Sequence, residues 1–474
     1  MELRRLVYGV WDYIKNSGAF ENTGNLLLEK VTQVAGKRES RRLIGGHVLT
    51  ETEIEDKPRF PDAAAMGGWS MDVHARKGIY DEGPATHWHP NNGMYNIPFR
   101  CLYSRDVPNL MMAGRDVSCT HIALGSTRVM GTCGCEGQAV GTAAWLCRKY
   151  GEDPEKIAAD RPRELQSALL RDDQTIVGVR EPYGDGLTDG LTVSASSERG
   201  YENAAVCGYL PDGRYCLALP VENRLDSLEV RVANPGRSEC ELRAAVYTGK
   251  WPESYIPARL LKELCVPVPA GFRGWLKLET DAAAGDDRKI YLLFEKTGLL
   301  LGYGEKLVGP VTFRWEENRE PSRYPKTGPI WLNPLEQEIC FRSVCPEQNL
   351  YAARNLVNGY SRPYGLPNLW VSAGSGVQTV RLSWDRPRKV EEIQLVFDTE
   401  LEYDNFTEMM PSLVRDYTVE LVSGDGSVER REVTDNALRV RRHRPSAQTL
   451  REIRLILRST YGARDMRMYA VRLY

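Results

Sequence analysis

Long apolar runs, surplus charge of one sign, paired cysteines and a nucleotide-binding glycine motif are all missing from this 474-residue chain. Nothing approaches the ~20 consecutive apolar residues that cross a bilayer, and Met1–Leu6 is not followed by the hydrophobic core of a signal peptide; a soluble chain without a membrane partner is expected. Lysine and arginine number 62 against 64 acids, a formal net charge of -2, which removes the electrostatic case for nucleic acid or an anionic surface as partner. The 11 cysteines include no Cys-x-x-Cys, and Cys133 and Cys135 are too few for a zinc knuckle or an iron–sulfur centre. No metal is expected, and the thiols are read as reduced and mostly buried. No Gly-x-Gly-x-x-Gly follows a strand near the start, which excludes a complete dinucleotide-binding βαβ unit from the sequence as given.

What is present divides at changes of texture into three regions, in keeping with ~100–200 residues per domain. Residues 1–170 mix short apolar strands with helical stretches, among them Leu26 to Gly36, and hold five of the six histidines. Residues 171–340 alternate strands and turns. Val206–Leu210 and Tyr215–Leu219 read as a hairpin about Pro211-Asp212-Gly213-Arg214, and Leu228–Ala233, Leu242–Tyr247, Trp275–Leu278 and Ile290–Phe294 continue a β-sandwich. The proline-rich stretch from Pro321 to Pro334 reads as a linker. Residues 341–474, with strands at Thr379–Trp384, Glu392–Phe397, Tyr417–Val422, Ile453–Leu457 and Met468–Tyr474, read as a second sandwich. The fold class expected is therefore a multidomain α+β chain, a partial α/β region followed by two all-β sandwiches.

Two elements of the front region carry chemistry. Asn109–Asp116 is a short apolar run without alternation, read as a strand buried on both faces and ending in Gly114-Arg115-Asp116. Thr132–Leu146 is a small-residue helix in which Gly137 and Gly141 share a face, so that another backbone or a cofactor can come close. An acid after a strand can accept hydrogen bonds from ribose or ribityl hydroxyls, while unpaired N–H groups at a helix start favour an electron-rich ring edge.

The wider set of words, Arg38-Glu39-Ser40-Arg41-Arg42, Gly45, Leu49-Thr50, Tyr95–Arg100, Asn109–Asp116, Thr120–Met130 and Gly137–Gly141, resembles in order and spacing the C-terminal half of the heterodisulfide reductase A-like group of FAD-dependent oxidoreductases. The resemblance covers about a third of the chain. It implies a flavoprotein fold with FAD as cofactor, bound through Gly114, Arg115, Asp116, Ser126, Met130, Gly137 and Gln138, and hydride transfer between flavin N5 and a small substrate, carbohydrate-like ones included. The chain departs from that pattern in lacking the nucleotide-binding unit, so the expectation is a truncated product or a separate polypeptide that supplies it. His121 and Arg128 look loosely like the His/Arg segment of fumarate reductase and succinate dehydrogenase flavoproteins, where the arginine orients an anionic substrate; here their spacing differs. His87 and His89 are candidate general acids or bases, with a structural hydrogen-bonding role weighed equally. The Arg38–Arg42 cluster is read as bracing.

The last region, through Asn355–Gly359, Arg362-Pro363 and Asn368–Ser372, looks like a discoidin or galactose-binding-like sandwich. That likeness implies sugar binding by loop aromatics, with Tyr360, Tyr364 and Trp370 as candidates and core or interface packing as the competing role. The alternative function is thus a carbohydrate-binding or scaffolding protein with an inactive flavoprotein remnant. Glycan contact hints at export and the unpaired cysteines at the cytoplasm, so location is left open.

Overall fold

The computed structural model describes residues 2–34, 39, 41–75, 77–89, 91, 93–317, 330–400, 408–447 and 449–474. Its first helix, α1 (Glu2–Asn16), has apolar residues at Leu3, Leu6, Val7, Val10 and Ile14, the spacing that makes one helical face apolar, yet none is buried. The Lys15 ammonium ties off the turn that follows by donating to the carbonyls of Thr23, Gly24 and Leu26 at 2.7–2.9 Å. The helix expected over Leu26–Gly36 does not form: residues 26–32 have no regular structure, and Gly36 lies outside the described residues. Val31, Thr32 and Val34 lose χ1 freedom in a helix, and no residue of 26–34 reaches a core that would offset the loss.

The front core is built on α2 (Glu51–Asp56), β1 (Ala63–Gly67), β2 (Met71–His74), β3 (Thr86–His89), β4 (Tyr95–Pro98), α3 (His121–Thr127), α4 (Met130–Tyr150), α5 (Pro154–Asp160) and α6 (Pro162–Arg171). β1 pairs with β4 and β2 with β3, both antiparallel. Thr50 and Glu53 form a reciprocal capping box at the start of α2. Ala139, Ala143 and Leu146 of α4 are fully buried in the same core as Ala63–Ala65 and Leu165 and Leu169 of α6. The run Asn109–Asp116 is not a strand buried on both faces. Met111 makes a single bridge to Tyr103, only Met112 is buried, and no strand pairs its other edge among the described residues. A strand buried on both faces needs neighbours on either side, which this segment does not have here.

The middle sandwich has two sheets. One runs Pro257–Val268, Cys240–Gly249, Lys289–Phe294, Tyr215–Pro220, Val311–Glu317, Ile330–Pro334; the other runs Arg273–Ala283, Arg224–Ala233, Leu300–Gly304, Glu338–Ile339. The expected hairpin is replaced by a crossover. Tyr215–Pro220, buried at every position, sits between Lys289–Phe294 and Val311–Glu317, whereas Gly208–Tyr209 joins Leu300–Gly304 in the other sheet. A central strand is satisfied by two full-length neighbours better than by a two-residue partner. Of the stretch read as a linker, residues 321–329 lie outside the described residues and Ile330–Pro334 is an edge strand.

The last sandwich packs a sheet of Trp370–Val371, Arg467–Leu473, Ile393–Phe397 and Val440–His443 on one of Val428–Val433, Val414–Ser423, Leu450–Thr460, Gln378–Arg388 and β5 (Leu191–Ala195). This moves the boundaries drawn at 171, 340 and 341. β5 pairs with Val380–Trp384, and Phe341–Cys345 still pairs with the middle strand Arg224–Ala233, so the middle sandwich is inserted within the last one. All 11 cysteines are free, but only Cys101, Cys119, Cys216 and Cys340 are buried, fewer than expected.

Candidate functional site

The exposed side of α4 is unusual for a surface helix. An added Cβ at Gly131, Gly134, Gly137 or Gly141 would meet nothing within 4 Å. A glycine inside a helix costs ~1 kcal/mol relative to alanine, and on this face no packing offsets it among the described residues. Val129, at the N-cap, offers no side-chain cap, and the first N–H to pair is that of Cys133, with Val129 O at 2.9 Å. The N–H groups ahead of it have no partner among the described residues. Met130 is 89 % exposed at this end, and Gln138 is exposed beside Gly137.

The Gly114 turn is clasped to the helix. Gly114 takes φ +101°, a conformation open to glycine, and its N–H donates to Glu136 Oε2 at 2.6 Å. Glu136 is fully buried, and burial pushes its carboxyl up to about 8; the Gly114 N–H opposes the shift and Asp116 adds to it. Its Oε1 has no hydrogen-bond partner among the described residues. Asp116 is half-buried with its carbonyl accepting from Leu43 N–H at 2.9 Å, and Arg115 is exposed. Gly114 and Asp116 are thus held beside α4, whose open side carries Met130, Gly137 and Gln138. Ser126 is not on this open side: it is fully buried, its hydroxyl shared between Tyr95 Oη at 2.6 Å and the Trp69 carbonyl. A hydroxyl in the core has to find partners there.

Gly125 lets α3 touch β2, since a Cβ there would lie 2.9 Å from the Asp72 backbone. That contact brings Arg128 Nη2 to Asp72 Oδ2 at 3.0 Å, the Asp72 carbonyl at 3.2 Å and His74 Nε2 at 3.1 Å. His74 Nε2 also stands 3.4 Å from Asp72 Oδ2. Arg128 is therefore a braced cation with a histidine in contact. The three candidate histidines stand elsewhere. His121 Nδ1 meets Glu39 Oε1 at 2.9 Å, with Arg42 on the same carboxylate. His87 and His89 project from the face of the hairpin opposite to Asp72 and His74, because strand side chains alternate. Arg38 and Ser40 lie outside the described residues, while Arg42 does brace Glu39.

Sequence reasoning missed Glu136, Asp72 and His74. Glu136 is the one charged residue between Arg128 and Arg148, a visible oddity in an apolar helix. Asp72 and His74 share a face only once β2 is known to be a strand.

The loop aromatics do not form an open platform. Trp370 is fully buried with Nε1 donating to Ser197 O at 3.0 Å, which makes it core. Tyr360 and Tyr364 stack on one another at 5.7 Å, with Arg180 over the first and Arg59 over the second, and lie half-buried against the front region.

An open, glycine-faced helix start behind a clasped Gly-x-Asp turn lies in a front of helices and short antiparallel strands, and two β-sandwiches follow it. Residues 1–169 match the family described as FAD dependent oxidoreductase. FAD is the cofactor that the family indicates. The open glycine face and the uncapped N–H groups of α4 fit such a group. No curated protein matches the chain. Among solved structures it is similar to the family 32 carbohydrate-binding module of Streptococcus pneumoniae EndoD (19% identity, 26% of this chain and 85% of that one, TM-score 0.23). It is also similar to a Clostridium perfringens family 32 module in complex with GalNAc-beta-1,3-galactose (8%, 26% and 83%, TM-score 0.20). A third is chitosan-binding module 1 of a Paenibacillus chitosanase/glucanase (13%, 26% and 85%, TM-score 0.21).

Proposed function

We propose that this chain forms the flavin-closing and substrate-side part of an FAD-dependent oxidoreductase related to the heterodisulfide reductase A-like group. The observation that carries the reading is the open glycine stripe of α4 joined to the Glu136–Gly114 clasp. FAD, when bound, supplies hydride exchange at N5 with a small substrate. Met130, Gly131 and Thr132 offer unpaired N–H groups to its electron-rich edge, and Asp116 offers a carboxylate to its hydroxyls. Glu136 fixes the turn that carries Asp116. Arg128, oriented by Asp72, supplies positive charge for an anionic substrate group, and His74 beside it can take up a proton. A separate nucleotide-binding unit would grip the rest of the cofactor against the open side of α4.

The test is the visible absorbance of the purified chain with and without added FAD. Bound yellow flavin that is lost in Asp116→Ala supports the reading. A chain that stays colourless with FAD, alone and in the presence of a nucleotide-binding partner, rejects it. A second reading, that the sandwiches bind carbohydrate, is favoured by a large polar cavity where they meet.

A further inference from the structure

The two sandwiches also meet around a smaller cavity of about 240 Å³. Tyr255 and Pro310 wall it from the middle sandwich, and Pro363, Asp398, Arg467 and Tyr469 wall it from the last one. Its polar groups are buried and only partly spent. Tyr469 is 4% exposed, and that exposure includes its hydroxyl, which has no hydrogen-bond partner among the described residues. Burial pushes the phenol pKa up and Asp398 adds to the shift, so the hydroxyl stays neutral and can both donate and accept. Arg467 spends Nε on Asp465 Oδ1 at 2.9 Å, while its Nη1 stands 3.6 Å from Asp398 Oδ2, too far for a hydrogen bond. Asp398 is 4% exposed, with Oδ1 accepting from the Glu400 N–H at 3.0 Å. A buried donor and a buried acceptor therefore lie side by side without satisfying one another. A ligand that bonds to both would relieve that cost.

Two adjacent hydroxyls of a sugar ring do this: one donates to the carboxylate while its neighbour accepts from the guanidinium. A free anion would be repelled by Asp398 and a free cation by Arg467. The two tyrosine rings and the two prolines supply apolar surface for the C–H face of a pyranose. Tyr255 is fixed in place, with Lys289 Nζ 4.8 Å over its ring and its hydroxyl donating to Gly309 O at 3.4 Å. Pockets for drug-sized ligands run to ~300–1,000 Å³, so this one takes a single ring. We propose that the cavity binds one neutral pyranose, with adjacent ring hydroxyls on Asp398 and Arg467, a third on Tyr469, and its C–H face against Tyr255. The site is composite, because the inserted sandwich supplies one wall. The proposal rests on the carbohydrate half of the reading above.

Calorimetric titration of the full chain with galactose, glucose and mannose, and with alanine as a zwitterion of matching charges, tests it. Saturable binding of at least one of the three sugars is expected, with no heat from alanine at the same concentrations. Tyr469→Phe removes only an unpaired hydroxyl, so Tm should hold while affinity for that sugar falls about fivefold. Asp398→Asn, of the same size, should weaken it about tenfold, and Tyr255→Ala should do the same. Unchanged affinity in Tyr469→Phe overturns the proposal. So does unchanged affinity in Tyr255→Ala, which would put the sugar on the last sandwich alone, and so does alanine binding as tightly as the sugars, which would mark an amino-acid site. Silence towards all three sugars overturns it as well; retention of the chain on a panel of immobilised glycans would then leave the broader carbohydrate reading standing, and no retention would end both, with the flavin reading decided separately by absorbance.

Discussion

Helix α4 of the front region and the strands of the middle sandwich place their glycines in opposite ways. The strand glycines of the middle sandwich sit under their neighbours: a Cβ at Gly304 would lie 2.4 Å from Ala205 O, and one at Gly302 2.5 Å from the Arg231 side chain. Along α4 four glycines face open space, and no residue of α1 is buried. Close packing explains the first set, since a core at crystal density has no room for a methyl group. The second set lowers stability without any contact in return. A protein keeps such a face when something else is to lie on it, so the difference separates regions finished within this chain from a region that awaits a ligand or a partner.

The largest effect should come from the seam between the regions. Arg472 is 1% exposed, its Nε is 2.5 Å from Glu181 Oε2 without the alignment of a hydrogen bond, and its Nη2 is 3.2 Å from Asp173 Oδ1. Arg472→Ala strands the buried Glu181 carboxylate, while Asp173 keeps Arg362 and Arg439, and calorimetry should show a loss of about 3–5 kcal/mol. Gly304→Ala should cost ~1–3 kcal/mol by overpacking, read as a lower denaturant midpoint. Proton linkage should part the regions further. The raised carboxyl of Glu136 gives stability that is complete below 4.5 and is lost as pH rises through about 8, a slope that Glu136→Gln should flatten. In the last sandwich, burial, Arg431 and Arg441 lower His443 from 6.5 to about 4; its contribution is present above 6.5 and is lost as pH falls through about 4. Thermal melts across pH check both, and a matching slope in the two regions would erase the contrast. The smallest effect is a gain: Gly137→Ala should stabilise the isolated chain by up to ~1 kcal/mol and weaken FAD, whereas loss of stability would mean that the face is already packed.

Much of this was legible because periodicity and small-residue spacing are local. The helix at Thr132–Leu146 and the strands near Leu228, Leu242, Ile290, Tyr417 and Ile453 all stand where their patterns place them. Partnership was not legible. Tyr215–Pro220 carries no sign that its neighbours lie at Lys289 and Val311 instead of Gly208, and β5 looks like any strand of the region around it. Burial of polar groups was hidden for the same reason. Ser126 and Trp370 advertise hydrogen-bonding and stacking chemistry, but Tyr95 and Ser197, far off in sequence, consume it. Asp116 and Gly114 could be named from the sequence, while the Glu136 clasp that holds them needed coordinates.

The insertion of one sandwich inside the other has a consequence for synthesis. β5 leaves the ribosome well before Val380, its partner, and the whole middle sandwich emerges between them. The inner unit can close on itself while the outer one still lacks most of its strands, and the slow, non-local pairing that completes the fold falls at the end of translation. Until then β5 presents a bare strand edge to every other nascent chain nearby. Its brevity, five residues with none fully buried, keeps that waiting edge a poor template for the wrong partner.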